Sequence, residues 1–226
     1  MTVPKLTRET ILDGSYHTWL RPMLGADATL MGDAERQEQI RGFLASAPDP
    51  ENIWVFGFGS LIWNPAFHFV EKRTARIYGY HREFCLWLRV GRASPERPGL
   101  MLSLKPGGSC AGVAYRVARE AAPTELEVLW RREMLTGTYR PVWTLARTPQ
   151  GPVHAIAFSS NRKHDRYVAN LQEDQVAHYL ASATGPSGRC CDYLFSMVEH
   201  LRQLGIRDRR MELLETKVKA RNGEAR

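Results

Sequence analysis

The segment at residues 53–65 (IWVFGFGSLIWNP) constrains the fold of this chain more than any other, because it joins an apolar strand to a glycine turn. Residues 54–56 are large and apolar, which suits a buried β-strand. Gly57 and Gly59 follow at once, and glycine tolerates positive φ and a close approach of other groups to the backbone. Such a turn can present backbone amides to an anion or an oxyanion, although a purely structural bend explains the two glycines equally well.

Two nucleotide-binding patterns begin in the same way, and neither is completed in this chain. The dinucleotide fingerprint needs a third glycine where Ile62 stands, and no Lys-Ser or Lys-Thr pair follows as it does in a P-loop. The turn is therefore not predicted to bind nucleotide phosphates.

The composition favours one globular domain with extensions. At 226 residues, with 43% hydrophobic and 10% aromatic content, the chain is long enough to bury a substantial core. No run of eighteen apolar residues indicates a membrane span, and residues 1–9 lack the apolar stretch of a signal peptide. We therefore predict a cytoplasmic protein with no membrane partner, and a monomer is the default expectation.

The cysteine, histidine and charge patterns argue against further classes of function. The four cysteines show no Cys-x-x-Cys spacing and the seven histidines form no zinc motif, so reduced thiols and no metal are predicted. The formal charge is +7, but basic residues are spread along the chain and are locally dense only in residues 207–226. A solvated helix face explains that density better than a nucleic-acid-binding arm, so no nucleic-acid partner is expected.

Three regions are predicted along the chain. Residues 1–50 form an N-terminal helical extension to which no chemistry is assigned, residues 51–207 the catalytic domain, and residues 208–226 a C-terminal helix and basic tail. The runs of strand-forming residues are 53–58, 73–90, 100–104, 111–117, 141–147 and 152–158. The predicted helical segments are 6–12, 34–44, 171–183, 189–204 and 208–218.

The turn signals between the strand runs imply antiparallel pairing. Residues 105–109 (KPGGS) and 148–152 (TPQGP) are predicted hairpin connections, and together they imply a partly closed sheet. Residues 92–99 form a longer polar loop, which is equally consistent with the edge of a site and with inert surface.

Two helix starts carry capping signals. Thr124 and Glu127 form a predicted capping box that follows Pro123. Ser187 is placed to cap the helix that begins near residue 189.

The helix that begins near Thr124 carries a carboxylate in an apolar setting. Its apolar stripe is formed by Leu126, Leu129 and Trp130. At about 3.6 residues per turn the stripe continues at Glu133, whereas Arg131 and Arg132 are predicted to point elsewhere. A buried carboxylate costs free energy unless it is paired, hydrogen-bonded or protonated. Glu133 is therefore equally consistent with a functional acid and with a structural ion pair.

Several separate segments belong to one pattern. They are residues 56–65 (FGFGSLIWNP), 79–84 (GYHREF), 97–99 (RPG), 107–116 (GGSCAGVAYR), Arg132-Glu133 with Tyr139 behind it, and 185–188 (GPSG). Together they resemble the ChaC family of γ-glutamylcyclotransferases, whose usual signature is Tyr-Gly-Ser-Leu, an aliphatic residue and Trp. The resemblance spans about residues 50–207, and Phe58 stands where the family usually has tyrosine.

The resemblance implies an α+β fold with a small mixed, barrel-like β-sheet and helices packed outside. It implies an amide-cleaving lyase that converts glutathione to 5-oxoproline and cysteinyl-glycine without a cofactor, with Glu133 as the catalytic acid/base. Arg82 is also consistent with an exposed strand residue. The implied substrate-binding residues are Gly57, Phe58, Gly59, Ser60, Leu61, Arg82 and Tyr139.

The reaction explains why one carboxylate suffices. The free α-amine of a γ-glutamyl compound can attack its own γ-carbonyl and expel the second amine, so no protein nucleophile is required. An α-amine with a pKa near 8 is mostly protonated at pH 7, so a base must first remove a proton, which the leaving amine then needs. Amides of the turn at residues 57–61 could stabilise the oxyanion or bind the α-carboxylate of the substrate.

Two other functions fit the same residues. A cyclotransferase that acts on other γ-glutamyl amines or peptides would need the same site. A non-catalytic anion-binding domain would share the fold, although Glu133 argues against it because a buried carboxylate gives an anion binder no advantage.

Overall fold

The computed structural model describes residues 3–25 and 29–223, so the last residues of the predicted basic tail, 224–226, lie outside the described chain. Its five long strands are β1 (Ile53–Gly57), β2 (Glu71–Leu88), β3 (Gly99–Val117), β4 (Tyr139–Thr148) and β5 (Gly151–Ser160). They form a closed barrel in the order β1, β3, β2, β4, β5. Most neighbours are antiparallel, and the parallel pair of β1 and β5 closes the barrel. The predicted α+β fold with a mixed barrel is confirmed.

The helices occupy the two ends of the chain and one crossover between β3 and β4. They are α1 (Arg8–Leu12), α2 (Ser15–Leu20), α3 (Asp33–Ala45), α4 (Ala122–Glu133), α5 (Glu173–Ser182), α6 (Cys190–Gln203) and α7 (Arg209–Arg221). A two-residue hairpin of β6 (Thr184–Gly185) and β7 (Gly188–Arg189) precedes α6.

Strand β1 is buried along its whole length because both of its faces are covered. Ile53 and Val55 belong to the core that contains α4, while Trp54 and Phe56 belong to the core that contains α5 and α6. Alternate residues of a strand point to opposite faces, so a strand between two cores is apolar at every position. This two-sided burial accounts for the continuous apolar run at the start of the signature segment.

The predicted hairpin at residues 105–109 is wrong. Strand β3 runs straight through this segment and stays paired with β2, with Tyr80 opposite Pro106 and an irregular register between Tyr78 and Tyr80. The positive φ angles of Gly107 and Gly108, +103° and +72°, are absorbed by this irregularity in the ladder. Two predicted short strands are therefore one strand of 19 residues.

The second predicted hairpin is confirmed. Strands β4 and β5 pair antiparallel from end to end, and Thr148 lies opposite Gly151 at the tight connection. Gly151 has a φ of +112°, a conformation that L side chains rarely adopt.

Both predicted helix caps are wrong. A 3₁₀ turn (Arg119–Ala121) leads directly into α4, so the helix begins at Ala122 and Thr124 lies inside its first turn. Helix α6 begins after Arg189, whereas the backbone N–H of Ser187 donates to the carbonyl oxygen of Gly91 at 2.9 Å. Helix α4 has no side-chain cap, whereas at α6 the carboxylate of Asp192 accepts from the backbone N–H of Arg189 at 3.2 Å.

The terminal helices pack on the barrel domain. Ile11 of α1 and Ile40 of α3 are buried in the same core as α4, and the buried Arg36 Nε donates to Glu127 Oε1 at 2.7 Å. At the other end, Met211 and Val218 of α7 are buried in the core shared with α5 and α6. The three regions predicted from the sequence are therefore joined by continuous packing.

Candidate active site

A cavity of about 450 Å³ lies where several distant parts of the chain meet. The turn after β1 contributes Ser60 and Asn64, the end of α4 contributes Glu133, and β4 and α6 contribute Tyr139 and Tyr193. A further wall comes from residues before α3. A concave site that collects polar groups from distant segments is a typical setting for a small ligand.

Glu133 is the last residue of α4 and faces the cavity. Leu126, Leu129 and Trp130 of the same helix are fully buried, so the inward direction predicted from the helical period is the one observed. The Glu133 side chain is 15% exposed, and its Oε1 lies 3.0 Å from Arg132 Nε. Burial raises the pKa of Glu133 above its usual value, and the charge of Arg132 opposes that rise.

Arg132 was predicted to point elsewhere, but its side chain faces the site. Its side chain is 5% exposed, and Nη2 donates to Ser60 Oγ at 2.8 Å while Nη1 donates to the carbonyl oxygen of Asn64 at 2.6 Å. These bonds join the end of α4 to the turn after β1. The helical period misled the prediction because α4 ends at residue 133, where a long side chain can fold back across the helix end.

The glycines of the turn are needed for close packing and not for an unusual φ. Gly59 has φ −129°, and Gly57 is not among the glycines with positive φ. A Cβ added to Gly59 would lie 2.5 Å from the hydroxyl oxygen of Tyr193, and one added to Gly57 would lie 3.1 Å from the Cβ of Leu61. The expectation of positive φ is thus corrected, whereas close approach to the backbone is found at both positions.

The five predicted substrate-binding residues of the turn have different surroundings. Ser60 lines the cavity, whereas Phe58 and Leu61 are buried in the hydrophobic cores on either side of the turn. Gly57 is the last residue of β1 and is paired with β3. The backbone N–H of Ser60 donates to the hydroxyl oxygen of Tyr193 at 3.1 Å, so this amide already has a partner.

Arg82 supports the turn from behind. It is 3% exposed, which excludes an exposed strand position, and it is not part of the cavity lining. Its Nε donates to the carbonyl oxygen of Phe58 at 2.9 Å, Nη1 donates to Asp208 Oδ2 at 2.7 Å, and Nη2 donates to the carbonyl oxygen of Ala111. Arg82 therefore ties β2, β3 and the start of α7 to the signature turn.

Two tyrosine hydroxyls face Glu133. Tyr139 donates to the carbonyl oxygen of Leu102 at 2.7 Å, and burial with the nearby Glu133 raises its pKa well above the usual value. Burial also raises the pKa of Tyr193 to about 12. Both tyrosines are therefore neutral hydroxyls near pH 7 and able to take part in hydrogen bonds.

Sequence reasoning missed Tyr193, although a signal was present. Cys190, Leu194 and Met197 form the buried stripe of α6, and Tyr193 lies on the same side at helical spacing. A polar atom on an apolar stripe is the signal that identified Glu133, and it would have identified this hydroxyl as well.

Three further features of the described residues concern grouped metal-ligand side chains, long apolar helices and cysteines. Within residues 3–25 and 29–223, no three His, Cys, Asp or Glu side chains are grouped so that they could hold a metal ion. Over the same ranges no helix is both long and apolar enough to cross a membrane. All four cysteines are buried, and no disulfide joins them in the described structure.

The fold belongs to a known class of barrel. A crystal structure of a yeast γ-glutamyl cyclotransferase specific to glutathione aligns with a TM-score of 0.68 and 21% identity, over 77% of this chain and 97% of that one. At this level of identity the likeness establishes the γ-glutamylcyclotransferase-like fold.

The sequence comparisons identify the family within that class. The ChaC-like protein model matches residues 53–221, and the chain belongs to this family. The glutathione-specific γ-glutamylcyclotransferase of Escherichia coli K12 is 40% identical over 90% of this chain and 87% of that protein. The glutathione-specific γ-glutamylcyclotransferase 1 of Rattus norvegicus is 30% identical over 70% of this chain and 73% of that protein.

Proposed function

We propose that this protein is a γ-glutamylcyclotransferase that cleaves glutathione to 5-oxoproline and cysteinyl-glycine. The observation that carries the proposal is Glu133, a carboxylate with a raised pKa that faces a cavity large enough for a tripeptide. The names of the E. coli and rat relatives agree with this reaction. In it the α-amine nitrogen bonds to the γ-carbon, and the amide C–N bond to cysteine breaks.

Glu133 moves the proton that the reaction requires. Its carboxylate removes a proton from the α-ammonium group, which frees the lone pair that attacks the γ-carbonyl. The protonated carboxyl then gives this proton to the leaving amine of cysteine as the C–N bond breaks. The ring nitrogen sheds its second proton as the lactam forms, and the carboxylate passes that proton to the released amine, so the enzyme ends each cycle in its starting state. A raised pKa helps both steps, because it makes the carboxylate a stronger base and brings its pKa nearer to that of the amine.

The two tyrosines make different hydrogen bonds to the substrate, one as an acceptor and the other as a donor. Tyr139 has already donated its hydrogen to Leu102, so its oxygen is available as an acceptor for the substrate ammonium. Tyr193 accepts the Ser60 N–H, which leaves its own hydrogen as a donor for the oxyanion that develops on the γ-carbonyl oxygen. The Ser60 amide, one of the turn amides considered as a donor to the oxyanion or to the α-carboxylate, thereby holds this hydroxyl in place.

The direct test is incubation of the purified protein with reduced glutathione, followed by assay of 5-oxoproline and cysteinyl-glycine. Equal amounts of the two products are expected. Parallel turnover of γ-glutamyl-alanine measures how far the site accepts other γ-glutamyl peptides. Glutathione binding in calorimetry without product release would instead indicate an anion-binding domain and would overturn the proposal.

As the pH falls below neutrality, kcat/KM is expected to decrease. The decrease should begin at a higher pH than it would if the base were a glutamate with an ordinary pKa. Protonation of Glu133 removes the base, and its pKa is raised by burial, so the acidic limb of kcat/KM shifts upward. The measurement is the pH profile of kcat/KM on glutathione between about pH 4 and pH 9. An acidic limb at the usual glutamate pKa would contradict the assignment of Glu133 as base.

The proposal includes a cytoplasmic location and a monomeric state. Four buried cysteines that form no disulfide with one another suit a reducing compartment, and one chain supplies the described walls of the cavity. Light scattering on the purified protein tests the oligomeric state, and a stable dimer would contradict it.

A further inference from the structure

The N-terminal segment at residues 3–24 forms part of the cavity wall, although sequence analysis assigned it no chemistry. Leu6, Tyr16, Leu20 and Leu24 line the same cavity as Glu133. The family model begins at residue 53, so these residues lie outside the part of the chain that defines the family. The E. coli relative aligns with 90% of this chain, which is more than residues 51–226 alone could supply.

The segment is fixed to the site and is not a loose flap. The Nδ2 of Asn64 donates to the carbonyl oxygen of Leu6 at 2.9 Å, and Asn64 belongs to the turn that Arg132 also holds. Arg8 Nη2 lies 2.8 Å from Oε1 of Glu125, whose side chain is 2% exposed. A rigid wall selects ligands by shape, whereas a mobile lid would adapt to them.

A second anchor holds the helix that carries Tyr16 and Leu20. The Nε2 of His17 on α2 is hydrogen-bonded to the carbonyl oxygen of Arg131 at 2.9 Å. That carbonyl lies two residues before Glu133 on α4. The aromatic and aliphatic side chains of α2 are therefore held in register with the catalytic carboxylate.

The chemistry of the reaction decides which part of a substrate meets this wall. The α-amine and the γ-carbonyl must lie at Glu133, so the γ-glutamyl half occupies the part of the cavity between Glu133, Tyr139 and Tyr193. The leaving half must then occupy the remaining lining. That lining combines the side chains of residues 3–24 with Arg92 and Arg166.

The chemistry of this remaining lining suits the leaving half of a γ-glutamyl peptide. Arginine side chains suit a terminal carboxylate, and an aliphatic wall suits a small apolar or thiol side chain. Tyr16 lines the same cavity, and its hydroxyl interacts electrostatically with Arg92 and with Glu133. A bulky group on the leaving half would meet the fixed side chains of α2.

We infer that residues 3–24, with Tyr16 and Leu20 at their centre, are the specificity wall of this enzyme: they contact the leaving half of the γ-glutamyl substrate and limit its size. The inference rests on the proposed function. It assigns the N-terminal segment to substrate selection, and the acid–base steps remain with Glu133.

The test is Leu20→Ala, with glutathione and S-butylglutathione as substrates. Removing three carbon atoms from a fixed wall is expected to raise the ratio of kcat/KM for S-butylglutathione over glutathione by about tenfold or more. Leu24→Ala provides a second variant and should shift the ratio in the same direction. Thr18→Ala is the matched control, since Thr18 is exposed on the same helix and does not line the cavity.

The outcomes separate the two proposals. A wild-type protein that releases no 5-oxoproline from glutathione overturns the proposed function, and the specificity wall falls with it. If the wild-type protein is active but both leucine variants keep the ratio of kcat/KM for S-butylglutathione over glutathione within twofold of the wild-type ratio, the specificity wall alone is overturned. A ratio that rises in both leucine variants and not in Thr18→Ala supports the wall.

Discussion

Replacing Glu133 with glutamine is expected to lower kcat/KM on glutathione by about 10²–10⁴-fold, because the amide can neither accept nor return the proton. The variant is expected to fold, since glutamine has nearly the same shape and the neighbouring Arg132 keeps its bonds to Ser60 and Asn64. Glu120→Gln is the control, because Glu120 is an exposed carboxylate just before the same helix. Near-wild-type turnover by Glu133→Gln would exclude Glu133 as the acid/base.

The same variant has a second readout that does not depend on activity. A carboxyl group whose pKa is raised in the folded state stabilises the fold below its unfolded pKa, and this contribution is lost as the pH rises through the folded value. Glutamine does not ionise, so the Tm of Glu133→Gln relative to wild type should increase between about pH 4.5 and pH 8. Parallel changes of Tm in the two proteins would indicate that Glu133 is not destabilised by its charge.

Gly59→Ala is expected to cost about 1–3 kcal/mol of stability, because its new methyl group would lie 2.5 Å from the hydroxyl oxygen of Tyr193. The displaced hydroxyl would also lose the Ser60 N–H, and such a shift of an active-site group can lower kcat/KM by about 100-fold. Gly42→Ala is the matched control, since nothing lies within 4 Å of a methyl group there. That helical substitution should be neutral or stabilising.

A double-mutant cycle distinguishes this steric cause from a general sensitivity of the turn. In a Tyr193→Phe background the nearest remaining atoms to the new methyl group are Leu102 Cδ2 at 3.4 Å and the Cζ of residue 193 at 3.8 Å, which are ordinary contacts. Gly59→Ala should therefore cost at least about 1 kcal/mol less in that background when unfolding is followed in denaturant. Additive costs would show that the hydroxyl is not what requires glycine.

Local sequence patterns predicted the features of this protein that depend on one element at a time. The helical period placed Glu133 on the apolar face of α4, and the strand and helix segments were found close to their observed bounds. The errors arose where partners from elsewhere decide the local structure. Residues 105–109 contain strong turn signals, yet β2 continues opposite them and keeps β3 extended.

The candidate site was harder to predict because its contacts join distant parts of the chain. Gly59 needs to be glycine because of Tyr193, and Asn64 reaches back to Leu6. Arg82 acts through the carbonyl oxygen of Phe58 and not through the cavity. From a single sequence, each of these residues can be interpreted only from its neighbours along the chain. The distant partner that explains its role is visible only in the folded structure.

The order in which the chain is synthesised determines when the ion pair between Arg8 and Glu125 can form. Residues 3–24 leave the ribosome before their anchors on Asn64, Glu125 and Arg131, which come later in the chain. The N-terminal segment must therefore wait until α4 has been made and packed before it can dock. The N-terminal wall of the cavity can therefore form only after α4 has formed, so the site stays incomplete in any shorter nascent chain.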